Sequence, residues 1–119
     1  MRGEHVHNKL VRDGIPELIR RAGKTPVCRI AAEEEFGKLL QEKLYEEVRE
    51  FVASGEVEEL ADILEVVAAL AERKGVGLQE LLAMAAAKRE KRGGFAGRIV
   101  LEKVLEKNAV AGGKNENLP

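Results

Sequence analysis

LYEEVREFVASGEVEELADILEVV, residues 44–67, sets two acidic and aliphatic runs on either side of Ser54-Gly55. The runs predict two helices, and so short a break makes consecutive helices antiparallel neighbours. Side chains turn about 100° per helical residue, which assigns each acid a direction. On the first helix Phe36, Leu40, Leu44, Val48 and Phe51 form an apolar stripe; Glu47 falls inside it, Glu50 at its edge and Glu46 further round. On the second, the apolar sector takes in Val57, Leu60, Ile63, Leu64, Val66, Val67, Leu70 and Ala71. Glu59 lies within that sector and Asp62 at its margin. Glu47, Glu50, Glu59 and Asp62 are therefore expected to converge between the helices.

Carboxylates in an apolar seam lose hydration and repel one another unless a cation compensates. Lys43 and Arg49 flank the first set, but no basic residue lies between Ser54 and Glu72. A hard divalent cation with oxygen ligands accounts for the set, and Mg²⁺ is the usual choice where phosphates complete the shell. Glu42, Glu56, Glu58 and Glu72 read as solvated surface charge.

Outward from this stretch, the punctuation predicts an all-α chain. Asp13-Gly14-Ile15-Pro16 opens a short helix over 15–22 that Gly23 closes. Residues 25–31 read as extended, either pairing weakly or crossing the surface. Long helices follow over 33–53, 56–74 with Gly75 as C-terminal cap, and 78–92 before Gly93-Gly94. Ile99-Val100-Leu101 with Val104-Leu105 suits a short strand or a last helix equally. Residues 1–107 are expected to form one domain, and the Gly/Asn/Lys-rich 108–119 a flexible tail.

Composition limits the function classes. The 119 residues are 45 % hydrophobic, 34 % charged and only 3 % aromatic, a globular balance whose core must be aliphatic. Net charge is −1, which argues against a nucleic-acid partner needing a basic face. Cys28 is the single cysteine, so no internal disulfide forms and a reducing cytoplasm is expected. The N-terminal residues lack the apolar run of a signal peptide, and VVAALA and LLAMAAA are too short to span a bilayer. Two superficial motifs fail. Gly23-Lys24-Thr25 follows a helix and has Leu18 where a phosphate-binding loop needs Gly; His5 and His7 lack partners at metal-ligand spacing.

Glu46-Glu47-Val48-Arg49-Glu50 followed by Glu59-Leu60-Ala61-Asp62 reproduces an EExxE…ExxD pattern. In this, and in the flanks NKLVRDGIPELI (8–19), EELADILEVVAAL (58–70) and KREKRGGFAGRIVL (88–101), the chain resembles the MazG-like all-α nucleoside triphosphate pyrophosphohydrolases up to about residue 107. Phosphoribosyl-ATP pyrophosphohydrolase is a close cousin. The gap between the two halves is shorter than in MazG itself, so no base preference carries over.

The resemblance implies Mg²⁺, with Mn²⁺ as substitute, held by Glu47, Glu50, Glu59 and Asp62 for hydrolysis of a nucleoside triphosphate to monophosphate and pyrophosphate. It implies a catalytic role for Glu47 and for Glu46, the latter orienting water or holding a second ion. Lys88 and Arg92, one turn apart, become phosphate contacts alongside the general attraction of Arg89 and Lys91 to a helix C-terminus. Asn8, Lys9, Arg12 and Asp13 match the family's N-terminal signature, as a nucleotide-contacting or site-covering segment or as a structural cap. Phe95 stacks on a base or joins the core.

Finally, the helix over 56–74 is apolar round more of its circumference than one neighbour covers. A homodimer or higher homo-oligomer is expected, its four-helix core built from the carboxylate helices of two subunits. A non-catalytic helical oligomerisation module is the alternative.

Overall fold

The computed structural model describes residues 3, 4 and 6–107. Among the described residues it contains four helices and no strand: α1 (Ile15–Arg21), α2 (Glu33–Ser54), α3 (Val57–Arg73) and α4 (Leu78–Arg92). The described chain groups into two compact units, one ending at Leu81 and one beginning at Leu82. The tail over 108–119 and His5 lie outside the described residues.

In the first unit, α2 and α3 pack as an antiparallel hairpin. Gly55 makes the connection possible: its φ of 71° is the left-handed conformation that glycine adopts without a Cβ clash, and its N–H donates to the Phe51 carbonyl at 2.7 Å. The Glu56 N–H then donates to Ser54 Oγ, so two residues reverse the chain with their polar groups satisfied. At the other end of the hairpin Arg73 returns to the start of α2. It donates to the Glu33 carbonyl at 3.1 Å, and its guanidinium lies 5.8 Å from the centre of the Phe36 ring. Gly75, with φ 81°, follows α3; the Val76 N–H donates to the Ala71 carbonyl and closes the helix.

The seam is thin. Leu40 and Val66 are its buried apolar residues, with Phe36, Leu44, Phe51, Ile63, Val67 and Leu70 half-buried around them. The apolar stripes reach beyond this seam: Val48 on α2 and Val57, Leu60 and Leu64 on α3 are exposed. Helical rotation sets Tyr45, Val48 and Val52 on the side of the α2 stripe away from Glu46 and Glu50, and Val57, Leu60 and Leu64 on the side of α3 away from Asp62. Because the helices are antiparallel, both apolar flanks open on one face of the hairpin. The acids occupy the other.

Ahead of the hairpin, α1 follows Arg12, whose carbonyl accepts from the Ile15 N–H. Gly14 caps the helix without any side-chain bond, and Pro16 sits in the first turn. Residues 25–31 form neither helix nor strand, and Cys28 is an exposed free thiol.

In the second unit, α4 continues to Arg92 with its side chains exposed, and Gly93, at φ 85°, donates to the Arg89 carbonyl. The Ile99–Leu105 stretch is neither of the two elements expected of it. It has no regular structure, and Phe95, Ile99, Val100, Leu101 and Leu105 are exposed, which also removes the core role considered for Phe95. Among the described residues, no helix is long and apolar enough to cross a membrane.

Candidate metal centre

The direction read for Glu47 is the one observed. Placed on the inner line of α2 about two turns after Leu40, it is 7 % exposed. Its Oε1 is buried and has no hydrogen-bond partner. Its Oε2 lies 3.5 Å from Lys43 Nζ, one turn earlier on the same helix. Loss of hydration raises the Glu47 pKa, the Glu50 charge adds to this, and Lys43 only partly offsets it.

The four acids expected at one site do not form a single cluster; they divide between two groups that share Glu47. Glu47, Glu59 and Asp62 form one, across the seam; Glu46, Glu47 and Glu50 form the other, along α2. Within each group one carboxylate oxygen per residue lies within 4.8 Å of the others. Glu59, half-buried, is likewise raised by loss of hydration and then by the Glu50 charge and its contacts with Asp62. Glu50 itself is exposed.

The donor set suits a hard divalent cation: all ligands are carboxylate oxygens, and the one buried deepest has an unused oxygen. Acidic clusters on helices are common without any ion, so the weight falls on that orphaned Oε1. A buried acceptor left unpaired costs about 1–3 kcal/mol, more when charged. A cation in the seam removes that cost.

Sequence reasoning misses the local counter-charges. Lys9 and Arg12 are expected at phosphate; in the structure Lys9 Nζ donates to Glu46 Oε2 at 3.0 Å and Arg12 Nη2 to Asp62 Oδ1 at 2.7 Å. Lys43, read as flanking, lies within ion-pair distance of both Glu46 and Glu47. The Lys9 and Arg12 pairs span 37 and 50 residues, beyond any local pattern. Asn8, in the left-handed region at φ 50°, precedes them, a conformation asparagine tolerates better than most residues.

The effect on Glu46 is opposite to that on Glu47. Burial pushes it up, but the Lys9 hydrogen bond and the charges of Lys43 and Lys9 together outweigh burial and hold it below the ordinary carboxylate value. Lys9 is raised in turn, chiefly by its bond to Glu46. A cleft of about 460 Å³ opens beside this pair, lined on its charged side by Lys9, Lys43, Arg49, Glu42 and Glu46. Lys88 and Arg92 lie in the last turns of α4, in the second unit, both exposed.

No family model matches the chain, and no solved structure matches it. Over 46 residues it is 52 % identical to an uncharacterized protein of Mycolicibacterium smegmatis (strain ATCC 700084 / mc(2)155), a match covering 39 % of this chain and 47 % of that protein. The chain thus matches about half the length of that relative, and the likeness brings with it no activity.

Proposed function

We propose that the chain is a MazG-like, Mg²⁺-dependent nucleoside triphosphate pyrophosphohydrolase of the cytoplasm, with Mn²⁺ as a substitute ion. The observation that carries this reading is the orphaned, buried Oε1 of Glu47 where two carboxylate groups meet. In the reaction, water attacks the α-phosphorus, the new P–O bond forms as the bond to the β-phosphate oxygen breaks, and pyrophosphate leaves.

Glu47, Glu50, Glu59 and Asp62 would hold the ion. Bound Mg²⁺ supplies charge neutralisation along the triphosphate. Glu46, with Lys43 one turn earlier on α2 as its remaining counter-charge, accepts a hydrogen bond from the attacking water or takes part in holding a second ion. Lys9 and Arg12 would donate charge-assisted hydrogen bonds to phosphate oxygens; for Lys88 and Arg92, in the second unit, the same role rests on the resemblance alone. The uncovered apolar flanks of α2 and α3 support a homodimer whose core joins both hairpins as four helices.

The same flanks favour a second reading, a non-catalytic oligomerisation module. A pyrophosphate-release assay over NTPs, dNTPs and phosphoribosyl-ATP, with and without Mg²⁺, separates the two readings and identifies the substrate. Release from at least one nucleotide that needs both Mg²⁺ and Glu47 supports the enzyme; none from any substrate refutes it.

A further inference from the structure

Residues 8–13 belong to no helix, and their cations bind the acids that the proposed site would use. Arg12 takes Asp62, a member of the group with Glu47 and Glu59; Lys9 takes Glu46, a member of the group with Glu47 and Glu50. Each group thus has one arm neutralised from outside, and the shared acid between them keeps an oxygen unpaired. Both ion pairs are open to water: Arg12 and Asp62 side chains are 54 % and 38 % exposed, Lys9 and Glu46 46 % and 23 %. Such pairs hold weakly and exchange readily.

A divalent cation beside Asp62 meets the Arg12 guanidinium as a like charge. Either the cation binds against that repulsion or Arg12 gives way. A guanidinium that gives way has a suitable new partner only if an oxyanion arrives with the cation, since its fork of N–H donors matches phosphate oxygens.

We propose that Lys9 and Arg12 are exchangeable counter-cations, neutralising Glu46 and Asp62 before the ion binds and passing to the oxygens of a polyphosphate chain afterwards. The inference rests on the metal reading above and adds the order of events. Free divalent cation binds weakly, and cation with polyphosphate binds cooperatively through these two side chains.

The signature is a pair of effects of opposite sign. Full-length wild type, Arg12→Gln, Lys9→Gln, Glu47→Gln and Arg49→Gln are titrated with Mn²⁺ alone, following free Mn²⁺ by electron paramagnetic resonance. Each is then titrated calorimetrically with inorganic tripolyphosphate at saturating Mg²⁺. Arg49 lines the same cleft and makes no ion pair among the described residues, so it calibrates the general effect of losing a positive charge. Arg12→Gln should bind Mn²⁺ about two- to fivefold more tightly than wild type, the range of a partly exposed ion pair, and tripolyphosphate more weakly; Lys9→Gln should behave likewise. Tightening no greater than in Arg49→Gln overturns the exchange, as does weakening of both ligands, which marks a merely structural role. Unchanged tripolyphosphate binding also overturns it. No Mn²⁺ binding by wild type, or equal binding by Glu47→Gln, overturns the metal reading as well; a normal Glu47 result with no Arg12 effect overturns the exchange alone.

Discussion

Lys43 and Glu47 lie one turn apart on α2, with Lys43 Nζ 3.5 Å from Glu47 Oε2, and this contact leaves the other oxygen of the same buried carboxylate without a partner. A lysine on its own helix is a partial counter-charge. It approaches from one side of the seam, while Glu59 and Asp62 add negative charge from the other. Glu47→Gln removes the charge and nearly keeps the shape. Pyrophosphate release should fall by at least about a hundredfold, the scale of losing a key electrostatic group. The rise in melting temperature on adding Mg²⁺, which grows with site occupancy, should shrink. Glu72→Gln, on exposed surface, is the control. Equal turnover and equal melting response in the two variants would sink the inward site.

The same residue sets a pH dependence. Glu47 and Glu59 have pKa values raised from 4.5 in the folded chain, so the native state binds their protons more tightly than the unfolded state does. Their contribution to stability is therefore favourable below the ordinary carboxylate value and is lost as pH rises through the raised one. Glu46, lowered, acts in the opposite sense, so the wild-type profile alone mixes the two. The difference between wild type and Glu47→Gln isolates the Glu47 contribution. Without metal, urea unfolding should find the Gln variant more stable at neutral pH and equal to wild type once pH falls below the ordinary carboxylate value. A difference that does not vary with pH would contradict the raised Glu47. Mg²⁺ affinity should fall over the same interval as protons compete for the oxygens.

How much of this is legible in the residues follows from range. The ends of α2, α3 and α4 come from local signals such as Ser54-Gly55, Gly75 and Gly93, and they fall within about one residue of the expected places. The burial of Glu47 comes from rotation along one helix, which needs no partner. What fails is long-range or aperiodic. Lys9 reaches Glu46 and Arg12 reaches Asp62 across the fold, where no spacing rule applies. Ile99, Val100 and Leu101 are too few to show a period, and apolar character alone gives them neither a strand nor a helix. For Leu60 and Leu64 the apolar sector tells how much surface wants cover, not which neighbour supplies it, and α2 leaves both exposed.

Gly37 and Arg73 offer a test of the hairpin itself. A Cβ on Gly37 would lie 2.7 Å from Arg73 Nη1 and 3.0 Å from Cζ. Gly37→Ala gains about 1 kcal/mol of helix propensity and pushes the guanidinium off Glu33 and Phe36. The two effects nearly cancel, so the single variant should sit within about 0.5 kcal/mol of wild type. Arg73→Ala should then cost less in the Gly37→Ala background than in the wild type, by about 0.5–1 kcal/mol of coupling. Additive costs in a urea-unfolding cycle would show that the guanidinium accommodates a Cβ at position 37 without giving up its contacts. A negligible cost of Arg73→Ala in the wild type would show that Arg73 does not hold the hairpin ends together.

The last prediction concerns the face opposite the acids. Tyr45, Val48 and Val52 on α2 and Val57, Leu60 and Leu64 on α3 are between 40 % and 77 % exposed, side by side on one face of the hairpin. Burying an aliphatic side chain completely is worth about 1.5–3 kcal/mol, and these residues have roughly half of that left to gain. Six from each of two copies give about 9–18 kcal/mol, the scale of the roughly 4–15 kcal/mol that association costs in lost freedom. The seam, where Leu40 and Val66 are the buried apolar residues among those described, has little to offer a chain on its own. Light scattering should therefore find at least a dimer at micromolar concentration. Leu64→Glu puts a charge in the middle of the face and should shift the population toward monomer, and because Leu64 is 47 % exposed it should do so without preventing helix formation. Val27→Glu, at a position 96 % exposed and outside the hairpin, should leave assembly unchanged. A monomeric wild type, or a Leu64→Glu variant that assembles as well as Val27→Glu, would show that this face is not where two copies meet.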